Sequence, residues 1–375
     1  MSTTPRYYAF DSLRAILMML GIVVHAAGSY GDAPYQNWEY ETPDASYAIF
    51  VLADVIHSFR MPLFFLISGF FGALLFYQKG PDYMLKNRIQ RILLPFLVFL
   101  FLLFPFITYS FTLGKEAFNR GEFISWQSFF SDIDHYLPSQ LIHLWFLYYL
   151  FIISAITYAL MKWIYPLIKT KIHINMGTLF NHPWMGLLSL TTTCWLILFI
   201  AEIPAFETST QWVPKWSPLL YNAIFYWYGW NLFIKKETIN NYSKHWIIFS
   251  IIGLIFQIIK LIYLSESSYE FMQVVSSIAT CFLCMGIFGF FFQYGNFTNR
   301  TIQYGVSSAY WVYLMHFIPT VVIPIWLKDL TISVHIKFLI TVSSTLFFCL
   351  ATFEIFVRKT FIGSFLSGRA INNKK

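Results

Sequence analysis

The chain has 375 residues, of which 57% are hydrophobic and only 11% are charged. A soluble domain carries about 25% charged residues, so this composition excludes an ordinary soluble globular protein and indicates a polytopic membrane protein. We attribute the net charge of +7 to the sorting of Lys and Arg among the connections between spans, not to nucleic-acid binding.

Hydropathy predicts an all-α membrane bundle of about ten transmembrane helices. The predicted spans are 11–29, 49–77, 92–113, 143–165, 184–203, 219–234, 246–264, 272–294, 304–327 and 336–357. Basic residues collect in alternate connections, which we expect to face the cytoplasm. These residues are Lys79, Lys86, Arg88, Arg91, Lys169, Lys171, Lys235, Lys236, Lys244, Arg300, Arg358, Lys359, Arg369, Lys374 and Lys375. An even number of spans then predicts that both termini are cytoplasmic.

No linker, repeat or shift in composition divides the chain, which predicts a single membrane domain over 1–358 and a basic cytoplasmic tail over 359–375. Arg14 and the spans that follow indicate that the first segment is an uncleaved helix. All four cysteines fall in apolar spans, and the spacing of Cys281 and Cys284 has no second pair to complete a metal site. We expect neither a disulfide nor a metal.

The first span carries Asp11, Arg14 and His25. Arg14 and His25 are eleven residues apart, which returns a helix almost to the same face and separates them by about 16 Å along its axis. An ionisable residue at bilayer depth costs roughly 2.5 to 3.5 kcal/mol on insertion scales, which favours a site for a long ligand. The alternative is a structural Asp11–Arg14 pair, with His25 bonded to a neighbouring helix.

The second span contains His57, Arg60 and Pro62, followed by the Ser68-Gly69 step. Pro62 and this step weaken the helix, and they indicate either a kink that lines a pocket or an ordinary small-residue contact between helices. Beyond this span, Arg88 and Arg91 are spaced i,i+3 at the membrane surface. Such a pair either binds phosphates or anchors the helix among anionic headgroups.

Two later spans add polar residues that we expect to face the interior of the bundle. His143 and Trp145 begin the fourth span, and Tyr313 and His316 lie i,i+3 in the ninth. Glu354 precedes Arg358 by one turn, and we expect the two to pair locally. Aromatic residues of the outer connections are interpreted either as interface anchors or as platforms on which sugars stack. They are Trp38, Tyr40, Trp126, Trp212 and Trp216.

Five segments, in this order, resemble the acyltransferase-3 family of integral-membrane acyltransferases. They are 6–25, with Phe10-Asp11-Ser12-Leu13-Arg14 followed by His25; 57–71, HSFRMPLFFLISGFF; 88–95; 143–147, HLWFL; and 310–316, YWVYLMH. The resemblance covers nearly the whole chain. Within the family, the sequences HSFRM and HLWFL are most similar to those of the glucan-biosynthesis branch, which is associated with succinylation of periplasmic glucans.

The resemblance implies an O-acyltransferase of the bacterial inner membrane. Its donor would be cytoplasmic acyl-CoA, with succinyl preferred and acetyl next, and its acceptor would be a hydroxyl of a periplasmic or envelope glycan. We expect acyl-CoA, glycan and membrane lipid as partners, no nucleic acid, and no tightly bound cofactor or metal. A homo-oligomer is left open.

The same resemblance implies that His25 is catalytic with Arg14 as its companion, to which we add Asp11, and that Arg88 and Arg91, with Arg14, bind the donor. We expect a substrate pocket lined by His57, Arg60, Ser68, His143, Trp145, Tyr313 and His316. Neutral imidazole accepts a proton from an attacking hydroxyl, and such general-base catalysis contributes about 10²- to 10⁴-fold.

Two other classes of function compete with this interpretation. A transporter or flippase would use Asp11, Arg14 and His25 as a substrate or proton site. A structural membrane subunit would use its polar groups to hold helices together. The chain shows no inverted repeat of the kind found in many transporters, which argues against the first alternative.

Overall fold

A computed structural model describes residues 7–32, 38, 42–118, 121–166, 182–263 and 268–368. Over these residues the protein is helical, with no β-strand, which confirms the all-α fold class. The helices are α1 Tyr8–Tyr30, α2 Tyr47–Lys79, α3 Pro81–Arg88, α4 Leu94–Ala117, α5 Trp126–Ser131, α6 Trp145–Ala159, α7 Pro183–Ala201, α8 Trp216–Ile234, α9 Ile239–Lys244, α10 Trp246–Ile262, α11 Tyr269–Tyr294, α12 Arg300–Met315, α13 Phe317–Leu327, α14 Val334–Phe356 and α15 Phe361–Ser367. Tyr40, Lys169, Lys171, Arg369, Lys374 and Lys375 lie outside the described residues.

The number of spans differs from the prediction. In the described part of the chain, seven helices are long and apolar enough to cross a membrane, and two bent pairs, α9 with α10 and α12 with α13, raise the count to at most nine. Helix α8, predicted as the sixth span, has 19 residues, but its Asn, Trp and Tyr residues lower its hydropathy. The count of ten is therefore not confirmed, and the cytoplasmic position of both termini stays a prediction.

The described residues cluster into two compact units that alternate along the sequence. The first unit comprises Met1–Arg14, Ser58–Ile92 and Phe146–Gln303, and the second comprises Ala15–His57, Leu93–Trp145 and Tyr304–Lys375. Helices α1 and α2 each contribute residues to both units.

Helices α2 and α8 of the first unit cross at two glycines. A Cβ built on Gly69 would overlap the backbone carbonyl of Tyr226, and a Cβ built on Gly229 would overlap that of Leu66. Glycine at both positions lets the two backbones approach closely, as small residues do in membrane bundles. The close backbone approach predicted at Ser68-Gly69 is confirmed, and α2 continues through Pro62 as a single helix of 33 residues.

Hydrogen bonds between side chains tie together the helices of the second unit. The hydroxyls of Tyr30 in α1 and Thr341 in α14 are 2.9 Å apart, and Trp311 Nε1 in α12 donates to Thr352 Oγ1 in α14 at 3.0 Å. Around these bonds, Ala26 and other apolar side chains of α1 and α2 pack against α14. Helix α14 thus holds α1, which carries His25, and α12, which ends directly before His316.

Gly229→Ala tests the glycine crossing. The new Cβ meets backbone atoms that cannot rotate away, so we expect a loss of about 1 to 3 kcal/mol of stability. The measurement is the midpoint of thermal unfolding in detergent. Gly305→Ala in α12 is the matched control, because its Cβ would lie 3.4 Å from Met19 Cε, an ordinary contact. Equal midpoints for the two variants would contradict the close crossing.

Candidate active site

Three histidines that are distant in sequence meet in the second unit. His25 lies in α1, His143 in the short turn Ile142–Leu144, and His316 between α12 and α13. The ring centroids of His25 and His316 are 5.1 Å apart, and those of His143 and His316 are 5.5 Å apart. His143 and His316 are almost fully buried, whereas His25 is half-buried. Of the three imidazoles, that of His25 is the most exposed.

His316 is oriented by the helix end that it occupies. The chain bends by 67° between α12 and α13, so the predicted ninth span is broken at this residue. His316 Nδ1 lies 2.9 Å from the carbonyl oxygen of Val312 and 2.8 Å from that of Tyr313. Carbonyls accept and never donate, so Nδ1 is the ring nitrogen that carries a proton in this geometry.

His143 is fixed to the same helix end from the other side. Its Nε2 lies 3.2 Å from the carbonyl oxygen of Leu314, and the hydroxyl of Tyr313 donates to the His143 carbonyl at 2.9 Å. The imidazole stacks on Phe317 with centroids 4.8 Å apart and an interplanar angle of 8°.

Ile142, the residue before His143, has a φ of 48°, a left-handed conformation that a β-branched residue rarely adopts. Strain of this kind concentrates at functional sites.

Aromatic rings surround His25. Phe317 meets it edge to face at 4.8 Å, and the indole of Trp38 is nearly parallel to it at 6.3 Å and 22°. Trp38 in turn contacts Phe111 and Phe317, with centroids 5.3 and 5.6 Å away. Aromatic carbon therefore makes up a large part of the surroundings of this imidazole.

The three histidines are not arranged as a metal site. Across the described ranges, no group of three or more His, Cys, Asp or Glu side chains is placed to hold a metal ion. The buried rings of His143 and His316 instead contact backbone carbonyls of α12.

The first unit contains the arginines predicted to bind the donor. Arg88, at the end of α3, is buried, and its Nη2 donates to the carbonyl oxygen of Ser68 at 2.9 Å. A Cβ on Gly72 would contact both the Tyr226 hydroxyl and, at 3.3 Å, Arg88 Nη2. Arg88 Nε is also buried and has no hydrogen-bond partner among the described residues. A buried guanidinium with a remaining donor is suited to an anionic ligand.

Arg91 differs from Arg88 in its surroundings. It lies in the π-helical turn Ile89–Leu93 that follows α3, and its side chain is exposed. Pro95 contributes to this wide turn, because it has no N–H to donate to the Arg91 carbonyl. The i,i+3 pair therefore has one buried and one exposed member.

The remaining predicted residues are divided between the units. Asp11 and Arg14 form the predicted i,i+3 ion pair at 3.7 Å, partly exposed and so worth little stability. The local pair of Glu354 and Arg358 is also confirmed, at 2.8 Å. Predicted site residues of the first unit are Asp11, Arg14, Arg60, Ser68, Arg88 and Arg91, and those of the second are His25, His57, His143, Trp145, Tyr313 and His316. Arg60 and Trp145 are buried, and His57 is half-buried.

Sequence reasoning missed several neighbours of these residues. Phe317 follows His316 directly and gave no signal besides its apolar character, and Phe111 is one of many Phe residues in its span. Tyr226 is one of 24 Tyr residues, and its residue type gave no separate signal. Trp38 was noted only as an anchor or a sugar platform, not as a neighbour of His25.

Comparison with known proteins shows which family this chain matches. The family model Acyl_transf_3, described as an acyltransferase domain, matches residues 7–354. The chain is similar to "Glucans biosynthesis protein C" of Escherichia coli O157:H7 and of Escherichia coli strain K12, at 25% identity in each case, over 98% of this chain and 95% of the relative. The protein of the same name from Salmonella typhi is 33% identical over 163 residues, 42% of this chain and 40% of the relative. No solved structure matches this chain.

Proposed function

Because the chain belongs to the acyltransferase-3 family and is a multi-pass membrane acyltransferase, we propose that it transfers an acyl group from acyl-CoA to a hydroxyl of an envelope glycan. Its apolar helices and its relatives from enteric bacteria support a place in a bacterial inner membrane. Family membership favours this chemistry over transport of an unmodified solute.

His25 is the proposed general base, and the observation that carries this role is its half-buried ring beside His316 and the two aromatic rings of Trp38 and Phe317. The imidazole accepts the proton of the acceptor hydroxyl as that oxygen attacks the thioester carbonyl. The carbon–sulfur bond then breaks, the acyl group stays on the glycan oxygen, and the CoA thiolate takes up a proton. Thiolate is a good leaving group, so the residues present suffice for the step.

The arginines of the first unit are the proposed donor site. The buried Nε of Arg88 and the exposed Arg91 together supply charge-assisted hydrogen bonds to the phosphates of CoA. Arg14 adds a further positive charge from α1. This single helix also carries His25, about 16 Å further along its axis, a length that matches an extended pantetheine arm.

The proposed acceptor and acyl group are based on sequence similarity to relatives, not on the geometry of the site. The relatives matched over nearly their whole length are named for glucan biosynthesis, which supports a periplasmic glucan as acceptor. The resemblance of the HSFRM and HLWFL segments to the same branch supports succinyl as the preferred acyl group, with acetyl next. Acyl-CoA is consumed as a substrate in this scheme and is not a resident cofactor.

His25→Ala tests the catalytic assignment. Removing the base should lower acyl transfer by about 10²- to 10⁴-fold while leaving the amount of protein in the membrane unchanged. The measurement is mass spectrometry of glycans from cells that produce each variant, where the mass increment also identifies the acyl group. His335→Ala, at an exposed histidine of α14 in the same unit, should acylate normally. Full acylation by His25→Ala at normal abundance would refute the assignment.

Arg91→Ala and Arg88→Ala test the donor site separately. Arg91 is exposed, so its loss should raise KM for acyl-CoA with little change in stability. Arg88 also bonds the Ser68 carbonyl, so its loss should raise KM and lower the unfolding midpoint as well. Initial rates against acyl-CoA concentration and thermal unfolding in detergent measure both effects.

The control for these arginine variants is Arg300→Ala, at an exposed residue in the first turn of α12. Arg300→Ala should change neither KM for acyl-CoA nor the unfolding midpoint. An unchanged KM in both Arg88→Ala and Arg91→Ala would reject the phosphate role.

A further inference from the structure

Trp38 occupies a notch on the surface of α1. A Cβ added to Gly28 would overlap the indole ring, with Cε3 and Cε2 only 2.6 and 2.7 Å away. The indole therefore lies directly on the backbone of α1, at a position that any larger residue would fill. Glycine at this position makes room for the ring.

The neighbouring Ser29 fixes the ring in this notch. Trp38 Nε1 donates to Ser29 Oγ at 2.8 Å, and the backbone N–H of Thr42 donates to the Ser29 carbonyl at 2.9 Å. Ser29 is fully buried. The indole thus has a defined hydrogen bond and a defined surface beneath it, so its position is specified by more than apolar contact.

From this notch the indole covers one side of His25. Its plane is inclined by only 22° to the imidazole, and Phe111 and Phe317 pack against it edge to face. A water molecule bound to the imidazole would meet aromatic carbon here and would gain few further hydrogen bonds. The apolar C–H face of a pyranose, in contrast, gains contact area from the same rings.

This difference matters because a base that activates a sugar hydroxyl also activates water. In the competing reaction, a water oxygen attacks the thioester carbonyl, the carbon–sulfur bond breaks, and the products are the free acid and CoA thiol. The acyl group is then lost. Since water is far more abundant than glycan, an acyltransferase needs a feature that favours the glycan at the base.

We propose that Trp38, seated on Gly28 and bonded to Ser29, is a positioning residue that favours a carbohydrate hydroxyl over water at His25. This proposal rests on the proposed function and adds the group that decides between transfer and hydrolysis. Trp38 does not react. It excludes water from one side of the imidazole and offers an aromatic surface to the ring of the acceptor sugar.

Gly28→Ala and Trp38→Ala in the full-length protein test the proposal, with release of CoA thiol and formation of acylated oligosaccharide measured in one reaction. In both variants the ratio of thiol released to glycan acylated should rise about two- to tenfold, the range expected for loss of one aromatic contact. Trp38→Phe keeps a ring without the bond to Ser29 and should give an intermediate ratio. Gly305→Ala adds the same methyl group to another helix of the unit and should leave the ratio unchanged.

A second readout does not depend on acyl chemistry. Diethyl pyrocarbonate modifies accessible imidazoles, and peptide mass spectrometry measures the modified fraction of His25 in each variant. Gly28→Ala and Trp38→Ala should increase this fraction, whereas Gly305→Ala should not. Unchanged labelling of His25, or an unchanged ratio in both variants, would overturn the proposal. Wild-type protein that consumes no acyl-CoA would instead refute the proposed function, and the labelling would still report whether Trp38 covers His25.

Discussion

Hydrocarbon offers no hydrogen bonds, so a polar side chain inside a membrane span is stabilised by hydrogen bonds to other groups of the protein. In this chain the solution is repeatedly a backbone carbonyl. Arg88 bonds the carbonyl of Ser68, His143 contacts that of Leu314, and His316 contacts those of Val312 and Tyr313. A carbonyl accepts only, so each contact holds its side chain in place, and in the two histidines it also fixes which ring nitrogen donates.

The carbonyls that contact the two histidines lie at the end of α12, whereas the Ser68 carbonyl lies inside α2. The break between α12 and α13 supplies the acceptors for His316, and the π-helical turn Ile89–Leu93 separates the surroundings of Arg88 from those of Arg91. Helix interruptions at membrane depth are tolerated where protein satisfies the freed groups, and π-helical turns are frequent at functional sites. The irregular backbone thus has a direct role in positioning the groups that we assign to donor binding and catalysis.

Local features of this fold were predictable from the sequence. Hydropathy gave the helices because burial in lipid depends on composition over a short window, and the Asp11–Arg14 pair followed from helical spacing. The sequence did not predict features that depend on contacts between several segments, or on a few polar and aromatic residues within an apolar helix. Helix α8 is long enough to span a membrane but too rich in Asn, Trp and Tyr to be counted, so the described residues contain at most nine candidate spans and do not confirm the ten predicted.

In the candidate site, too, residue types were predictable from the sequence, but contacts between distant segments were not. His25, His143 and His316 were each recognised by residue type, but no spacing could show that their rings meet, since they belong to three separate segments. The difference between Arg88 and Arg91 depends on a wide turn that helical periodicity does not foresee. The place of Trp38 depends on Gly28, which in sequence is only one small residue of an apolar helix.

The central claim is that His25 acts as the base while an acyl group moves from CoA to a glycan and the CoA moiety stays behind. Transfer across a sealed bilayer, with separate labels on the acyl group and on CoA, tests this claim most directly. Proteoliposomes would enclose oligosaccharide, and acyl-CoA carrying one label in the acyl group and another in the CoA moiety would be added outside, where the protein's donor side faces out. The account predicts that the acyl label appears on enclosed glycan, that the CoA label stays outside, and that neither moves with His25→Ala. Entry of the CoA label, or acylation of glycan by the His25 variant, would contradict it.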